Sequence, residues 1–138
     1  GELVDFVTLG CPHYTLEQLR FTADWLSSRQ GGGRVRIVHP GVRLWICTNR
    51  MTKQAAAWEG IVQRIESAGG LVVCDSCPVE SHMRISTCKE HGLKTPQVGA
   101  MVTDSCKIAR YVGDLIGCQT ALRPREACLE AALTARLG

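Results

Sequence analysis

Aromatic residues make up only 5% of this 138-residue chain, which has three tryptophans, two tyrosines and two phenylalanines. None is interleaved with a basic run, and the net charge of +3, from 16 basic and 13 acidic residues, is mild. Nucleic-acid surfaces need a concentrated basic footprint and stacking rings, so that class of partner is set aside. Long apolar runs are lacking too, since no stretch approaches the roughly 20 residues that span a bilayer. No secretory leader pattern precedes the first strand-like run, and there is no internal repeat or low-complexity tract. The longest glycine run, Gly31-Gly32-Gly33, is too short to separate domains.

Against these shortages stand eight cysteines. An even number admits a disulfide framework. However, Cys47 closes an apolar run, and Cys106, Cys118 and Cys128 lie in or near helical patterns. Disulfide-dense secreted domains are loop-rich and short of core, whereas 45% of this chain is hydrophobic. Reduced thiols and a cytoplasmic setting are expected.

The pattern along the chain alternates between strand and helix. Leu3–Leu9 is a β-rich run ending at Gly10. Thr15-Leu16-Glu17-Gln18 forms a capping box before Leu16, Leu19, Ala23 and Leu26 at helical spacing, with the glycine run ending that helix. Val35–Val38 and Val42–Cys47 are strand-like. A helix from about Thr52 to Ala68 is expected to bury Trp58, Ile61, Val62 and Ile65 and to stop at Gly69-Gly70. Leu71-Val72-Val73-Cys74 reads as the central buried strand, Pro78 opens a short helix closed by Gly92, and Val98–Val102 is the fourth convincing strand. Ser105 suits an N-cap and Pro124 a first helical position. This order predicts residues 1–138 to be a single α/β domain. Its sheet should be mainly parallel, four- or five-stranded, with helices on both faces.

Three strand ends run into chemistry-bearing residues: Gly10-Cys11-Pro12-His13, Cys74-Asp75-Ser76-Cys77, and Thr103-Asp104-Ser105-Cys106-Lys107. Carboxyl ends of parallel strands are where open α/β sheets gather ligands. Three readings of the thiols remain open on spacing. Cys74, Cys77, Cys88 and His91 have zinc-like spacing. Cys74 and Cys77 could instead exchange disulfides. Cysteines from separate strand ends could also hold an iron–sulfur cluster. Composition alone ranks them in that order.

Four blocks change the ranking. Val4–Leu19, with its strand followed by Gly-Cys-Pro-His and Thr-Leu-Glu-Gln-Leu, closely resembles a segment of the aconitase X family. So do Leu44–Arg50, ending in Thr-Asn-Arg; Val72–Cys77, like the family's Val-Val-x-Asp-Thr-Cys; and Thr103–Tyr111, like its Thr-Asn-Ser-Ala-Lys block. The resemblance implies the C-terminal α/β domain of the catalytic part of a hydro-lyase. Such enzymes dehydrate small hydroxy acids such as cis-3-hydroxy-L-proline or mevalonate 5-phosphate. It further implies an iron or iron–sulfur centre with Cys11 and Cys77 as ligands at adjacent strand ends and a third ligand outside this chain. The implied partners are the remaining catalytic domains and a small swivelling domain or subunit, without which the chain is expected to be inactive.

By the same resemblance, Ser105 and Lys107 are expected to bind an anionic small-molecule substrate; His13, two residues after Cys11, and Arg50, at a strand's carboxyl end, are further expected contacts. The catalytic base belongs to the swivelling part, so no catalytic residue is assigned here. Asp104 and Cys106 depart from the family's Asn and Ala, and Asp104 brings a negative charge beside the expected anion site. The bland readings are a solvated His13, a surface Arg50 and a Ser105 that only caps. A lysine in a first helical turn opposes the helix dipole, which favours a functional Lys107. The alternative to a lyase is a non-catalytic or zinc- or thiol-based α/β protein using Cys74 and Cys77.

Overall fold

The computed structural model describes residues 3–10, 13–30, 34–74, 100–110 and 119–137. Its middle strand is β1 (Phe6–Leu9), buried at every position. A continuous apolar run of this kind belongs to a parallel strand covered on both faces. The chain then passes through α1 (Leu16–Ser27), a short antiparallel pair β2 (Arg29–Gln30) and β3 (Arg34–Val35), and β4 (Arg43–Thr48). Next come α2 (Arg50–Trp58), α3 (Ile61–Ser67), β5 (Gly70–Cys74), β6 (Ala100–Thr103), β7 (Gln119–Leu122) and α4 (Arg125–Thr134). Among the described residues, five strands form one sheet in the order β5-β4-β1-β6-β7, and every pairing in it is parallel.

The register sorts side chains onto two faces, because paired residues in neighbouring strands point to the same side. Val7 lies beside Leu44 and Val102, Leu9 beside Ile46, and Ile46 beside Val72. These residues form one core with Leu19, Ala23 and Leu26 of α1, Ile61 and Ile65 of α3, and Leu129 and Ala132 of α4. Each fully buried Leu or Ile there contributes about 1.5–3 kcal/mol of burial free energy. Phe6, Trp45 and Met101 share the opposite face, where the Phe6 and Trp45 rings meet at 5.3 Å. Thr120, in register with Met101, donates its hydroxyl to the Ala109 carbonyl at 2.7 Å. That bond places the helical segment 106–110 on this second face, so helices cover both sides as expected.

Several local expectations change. The capping box holds: the Gln18 amide donates to Thr15 Oγ1, and the Thr15 amide to Gln18 Oε1. Helix α1 nonetheless ends at Ser27, before the glycines, because Ser28 is already extended. The expected strand Val35–Val38 shrinks to β3, and Val38 instead donates its amide to the Ala68 carbonyl at 2.7 Å. The single helix expected over residues 52–68 is two helices. Gly60 takes the left-handed conformation at φ 77° and turns the chain between them. That turn keeps Ile61 and Ile65 in the core but leaves Trp58 87% exposed, so Trp58 is not a core residue. Pro124 is the N-cap of α4 rather than its first residue.

The strand read as central, β5, is an edge, and its Leu71 is 43% exposed. Strands β1 and β5 are also not neighbours, since β4 separates them. The strand ends that lead toward Cys11 and Cys77 are therefore two positions apart rather than adjacent. Cys11 and Cys77 themselves, with Cys88, His91 and the helix expected after Pro78, lie outside the described residues. No helix of the described residues is long and apolar enough to cross a membrane.

Candidate functional site at the carboxyl edge of the sheet

The strand order fixes where a site can form. From β1 the chain moves outward through β4 to β5, and from β6 it moves the other way to β7. Between β1 and β6 lies the topological switch point, where connections leave in opposite directions and open a crevice beyond the strand ends. The loop after β1 carries His13, and the turn after β6 carries Ser105 and Lys107. Arg50 opens α2 directly after β4. All four expected substrate-binding residues thus lie at the carboxyl edge of three consecutive strands, β4, β1 and β6. The outer two of these strands run about 10 Å apart.

Gly10 begins the loop after β1 at φ 99°. A Cβ on it would meet the Cys47 carbonyl oxygen at 2.2 Å, so only glycine lets the loop lie on the end of β4. The same carbonyl accepts the Tyr14 amide at 3.0 Å, and Thr48 Oγ1 donates to the Tyr14 carbonyl at 2.7 Å. Tyr14 is 4% exposed, and its hydroxyl donates to Asp104 Oδ2. Asp104 therefore has a hydrogen-bond partner on the facing loop. Its charge is not simply set against the expected anion site.

On the β6 side, the Ser105 amide donates to Thr103 Oγ1 at 3.2 Å, and Ser105 Oγ accepts the Ile108 amide at 3.3 Å. Ser105 is the expected N-cap and is 5% exposed. Lys107, Arg50 and His13 are all exposed. Asn49 caps α2 by accepting the Thr52 amide at 2.8 Å, which sets Arg50 at the helix start.

The sequence reading passed over Tyr14 and the α4 residues behind it. A tyrosine between His13 and the capping residue Thr15 is the signal that was available. Burial, then the hydrogen bond and charge of Asp104, push the Tyr14 hydroxyl well above its ordinary 10.0, while Arg125 pulls it down. Tyr14 therefore remains a donor. Arg125 stacks its guanidinium 3.8 Å over the Phe21 ring and so ties α4 to α1. The Cys128 thiol donates to the Arg123 carbonyl at 3.4 Å. Burial and then the Asp104 charge push that thiol up to about 12, against the opposing charge of Arg123.

Since the thiolate is the reactive form, Cys128 should resist a maleimide at pH 8 while exposed Cys106 is labelled. Unfolding returns Cys128 to its ordinary 9.0. The unfolded chain then sheds the proton first, and this contribution to stability is lost as pH rises from about 9 to 12. Peptide mapping by mass spectrometry after brief labelling checks the first point, and native labelling of Cys128 at the rate of Cys106 would refute it.

Among the described residues, no three of His, Cys, Asp and Glu gather to hold a metal ion. Cys74, Cys106 and Cys128 are free thiols. The described residues also line open grooves at other places. One, lined by Leu3, Val4, Ala100 and Gln119, is at the amino ends of the strands, where Asp5 Oδ1 accepts the Ala100 amide at 3.0 Å.

Residues 4–134 match the family model described as the aconitase X third domain. The chain is 33% identical over 113 residues to the phosphomevalonate dehydratase large subunit of Methanothermobacter thermautotrophicus. That match covers 82% of this chain and 24% of the relative. It is 27% identical to the cis-3-hydroxy-L-proline dehydratase of Pseudomonas aeruginosa, covering 96% of this chain and 20% of that protein. The crystal structure of Thermococcus kodakaraensis aconitase X, holo-form, superposes with a TM-score of 0.71 at 25% identity. This covers 94% of this chain and 28% of the other. The chain spans about a quarter of the length of these relatives. The family model spans nearly the whole chain, and the chain belongs to the aconitase X third-domain family.

Proposed function

We propose that this chain is the C-terminal domain of the catalytic part of an aconitase X-type hydro-lyase and supplies the anion-holding wall of its active site. The observation that carries the reading is the placement of His13, Arg50, Ser105 and Lys107 on three consecutive strand ends around the switch point. The substrate is a small hydroxy acid. The 33% identity to a phosphomevalonate dehydratase large subunit makes mevalonate 5-phosphate the first candidate and cis-3-hydroxy-L-proline the second. The remaining catalytic domains and a small swivelling domain or subunit complete the enzyme. Free thiols are in keeping with a cytoplasmic setting.

In this reading Lys107 and Arg50 attract the substrate's anionic group, and the Ser105 turn offers it backbone and hydroxyl hydrogen bonds. His13 contacts the substrate from the other side of the crevice. With the substrate so fixed, a base outside this chain removes a proton from the carbon beside the hydroxyl-bearing carbon. The C–H electron pair becomes the C=C bond, the C–O bond breaks, and the hydroxyl leaves with a proton as water. Positioning contributes by holding the near-attack geometry. The cofactor proposed is an iron or iron–sulfur centre, which when bound supplies Lewis acidity toward the leaving hydroxyl. The described residues alone do not supply its ligands, and Cys11 and Cys77 are the candidates.

The test is the complete assembly, purified without oxygen and offered each substrate, with water loss followed by mass spectrometry. Dehydration of either one, by protein containing iron and sulfide, is the expected result. Stoichiometric zinc with no dehydration would move the reading to a zinc- or thiol-based protein.

A further inference from the structure

Tyr14 is tied to three strand ends at once. It follows β1 in the chain, its backbone is bonded to Cys47 and Thr48 at the end of β4, and its hydroxyl bonds Asp104 at the end of β6. The last bond joins residues 90 apart in sequence. It connects the loop bearing His13 to the turn bearing Ser105 and Lys107. Each loop is otherwise held to its own side, the first by Cys47 and Thr48, the second by Thr103 Oγ1 and the Ser105 cap. Helix α4 packs against both β1 and β6: Cys128 and Leu129 are fully buried, and Arg125 reaches across to Phe21.

We infer that Tyr14 and Asp104 are positioning residues, a clasp that sets the width of the switch-point crevice between His13 and the Ser105–Lys107 turn. This rests on the proposed function, because it is the substrate of that site whose alignment the clasp controls. Neither residue need touch substrate. Without the clasp, the His13 loop keeps its bonds to β4 and the Ser105 turn its bond to Thr103, each opening more often, so the anion is still captured by Lys107 and Ser105. The separation between the two walls is no longer fixed, and a displacement of about 1 Å can cost up to 100-fold in rate. The loss should therefore appear in kcat rather than KM.

Four variants of the complete dehydratase test the inference. Tyr14→Phe deletes only the hydroxyl, and Asp104→Ala deletes the acceptor. Each should lower kcat about tenfold, as expected for a misalignment well short of that limit, with KM within about twofold. The double variant should be no worse than either single, because both remove one bond. Asp104→Asn keeps an acceptor oxygen and should restore kcat to within about twofold of wild type. An unchanged kcat in Tyr14→Phe overturns the clasp, even if the melting temperature falls. So does an Asp104→Asn variant as impaired as Asp104→Ala, or a rise in KM alone.

Hydrogen exchange gives a readout independent of activity. In Tyr14→Phe the amides of Tyr14 and Ser105 should exchange about tenfold faster while those of β4 and α1 keep their wild-type protection. Uniform acceleration would mean general destabilisation and overturn the inference, as would unchanged protection. A wild-type assembly that dehydrates neither substrate defeats the proposed function, and the exchange comparison then decides the clasp by itself.

Discussion

Replacing Gly10 with alanine is expected to lower the melting temperature by about 10 °C and to disable the site. Two costs combine. The backbone at φ 99° is one that a side chain rarely adopts, at about 1–2 kcal/mol. The new Cβ would also stand 2.2 Å from the Cys47 carbonyl oxygen, which is backbone and cannot swing aside. Forcing an extra carbon into such a space typically costs a further 1–3 kcal/mol, give or take about one. For a chain of this size each kcal/mol lowers the melting temperature by roughly 3–5 °C. The carbonyl that would be pushed away is the one that accepts the Tyr14 amide, so the loop bearing His13 loses its anchor. Gly60→Ala is the control, because Gly60 has φ 77° but nothing within 4 Å of its Cβ position. It should show the conformational cost alone. If the two variants melt within a degree or two of each other, the close approach of Gly10 to β4 is wrong.

Gly10 also shows what a sequence can disclose. A glycine after Phe6-Val7-Thr8-Leu9 was legible as a turn, and so were the capping box, the helical spacing of Leu19, Ala23 and Leu26, and the Ser105 cap. These are local, with the signal and the structure a few residues apart. Strand order is not local. Leu71-Val72-Val73 looks central because branched apolar residues favour any buried strand, yet among the described residues β5 is an edge with one neighbour. Gln119-Thr120-Ala121-Leu122 carries no such run and still pairs with β6, because the sheet offers it a parallel partner. Trp58 was misplaced for a related reason. Helical periodicity projects onto one face only while the helix is unbroken, and Gly60 breaks it.

The site was legible as a set of strand ends and not as a geometry. Apolar runs ending just before them put Ser105, Lys107, Arg50 and His13 after strand ends, and the topology sets those ends along one edge of the sheet; their role as substrate contacts belongs to the proposal. The bond from Tyr14 to Asp104 could not be read that way, since it depends on β1 and β6 being neighbours across 90 residues of chain. Asp104 as a sequence letter suggests repulsion beside an anion site, but in the fold it accepts a hydrogen bond from a buried tyrosine. Cys128 looked like one more helical apolar position. Its raised thiol follows from the same burial and from the Asp104 charge.

Lys107→Ala in the complete assembly is expected to lower kcat/KM for an anionic substrate about 10- to 100-fold while leaving stability within about 0.5 kcal/mol of wild type. Lys107 is exposed in the first turn after the Ser105 cap. A positive side chain there meets the positive end of the helix dipole, an arrangement that costs a few tenths of a kcal/mol at such positions. Removing it should therefore not destabilise the fold and could raise its melting temperature slightly. A charge-assisted hydrogen bond to a carboxylate or phosphate is worth about 1.5–3 kcal/mol, which gives the expected range. Lys107→Arg keeps the charge and should recover part of the loss, whereas Lys107→Met keeps the stem and should not. Rising ionic strength should weaken binding to the wild type more than to Lys107→Ala, because the variant has lost one of the attracting charges. The decisive pair of measurements is a thermal melt and a substrate titration on the same preparation. Wild-type kinetics with a lowered melting temperature would make Lys107 a structural residue and remove it from the crevice's anion-holding charges.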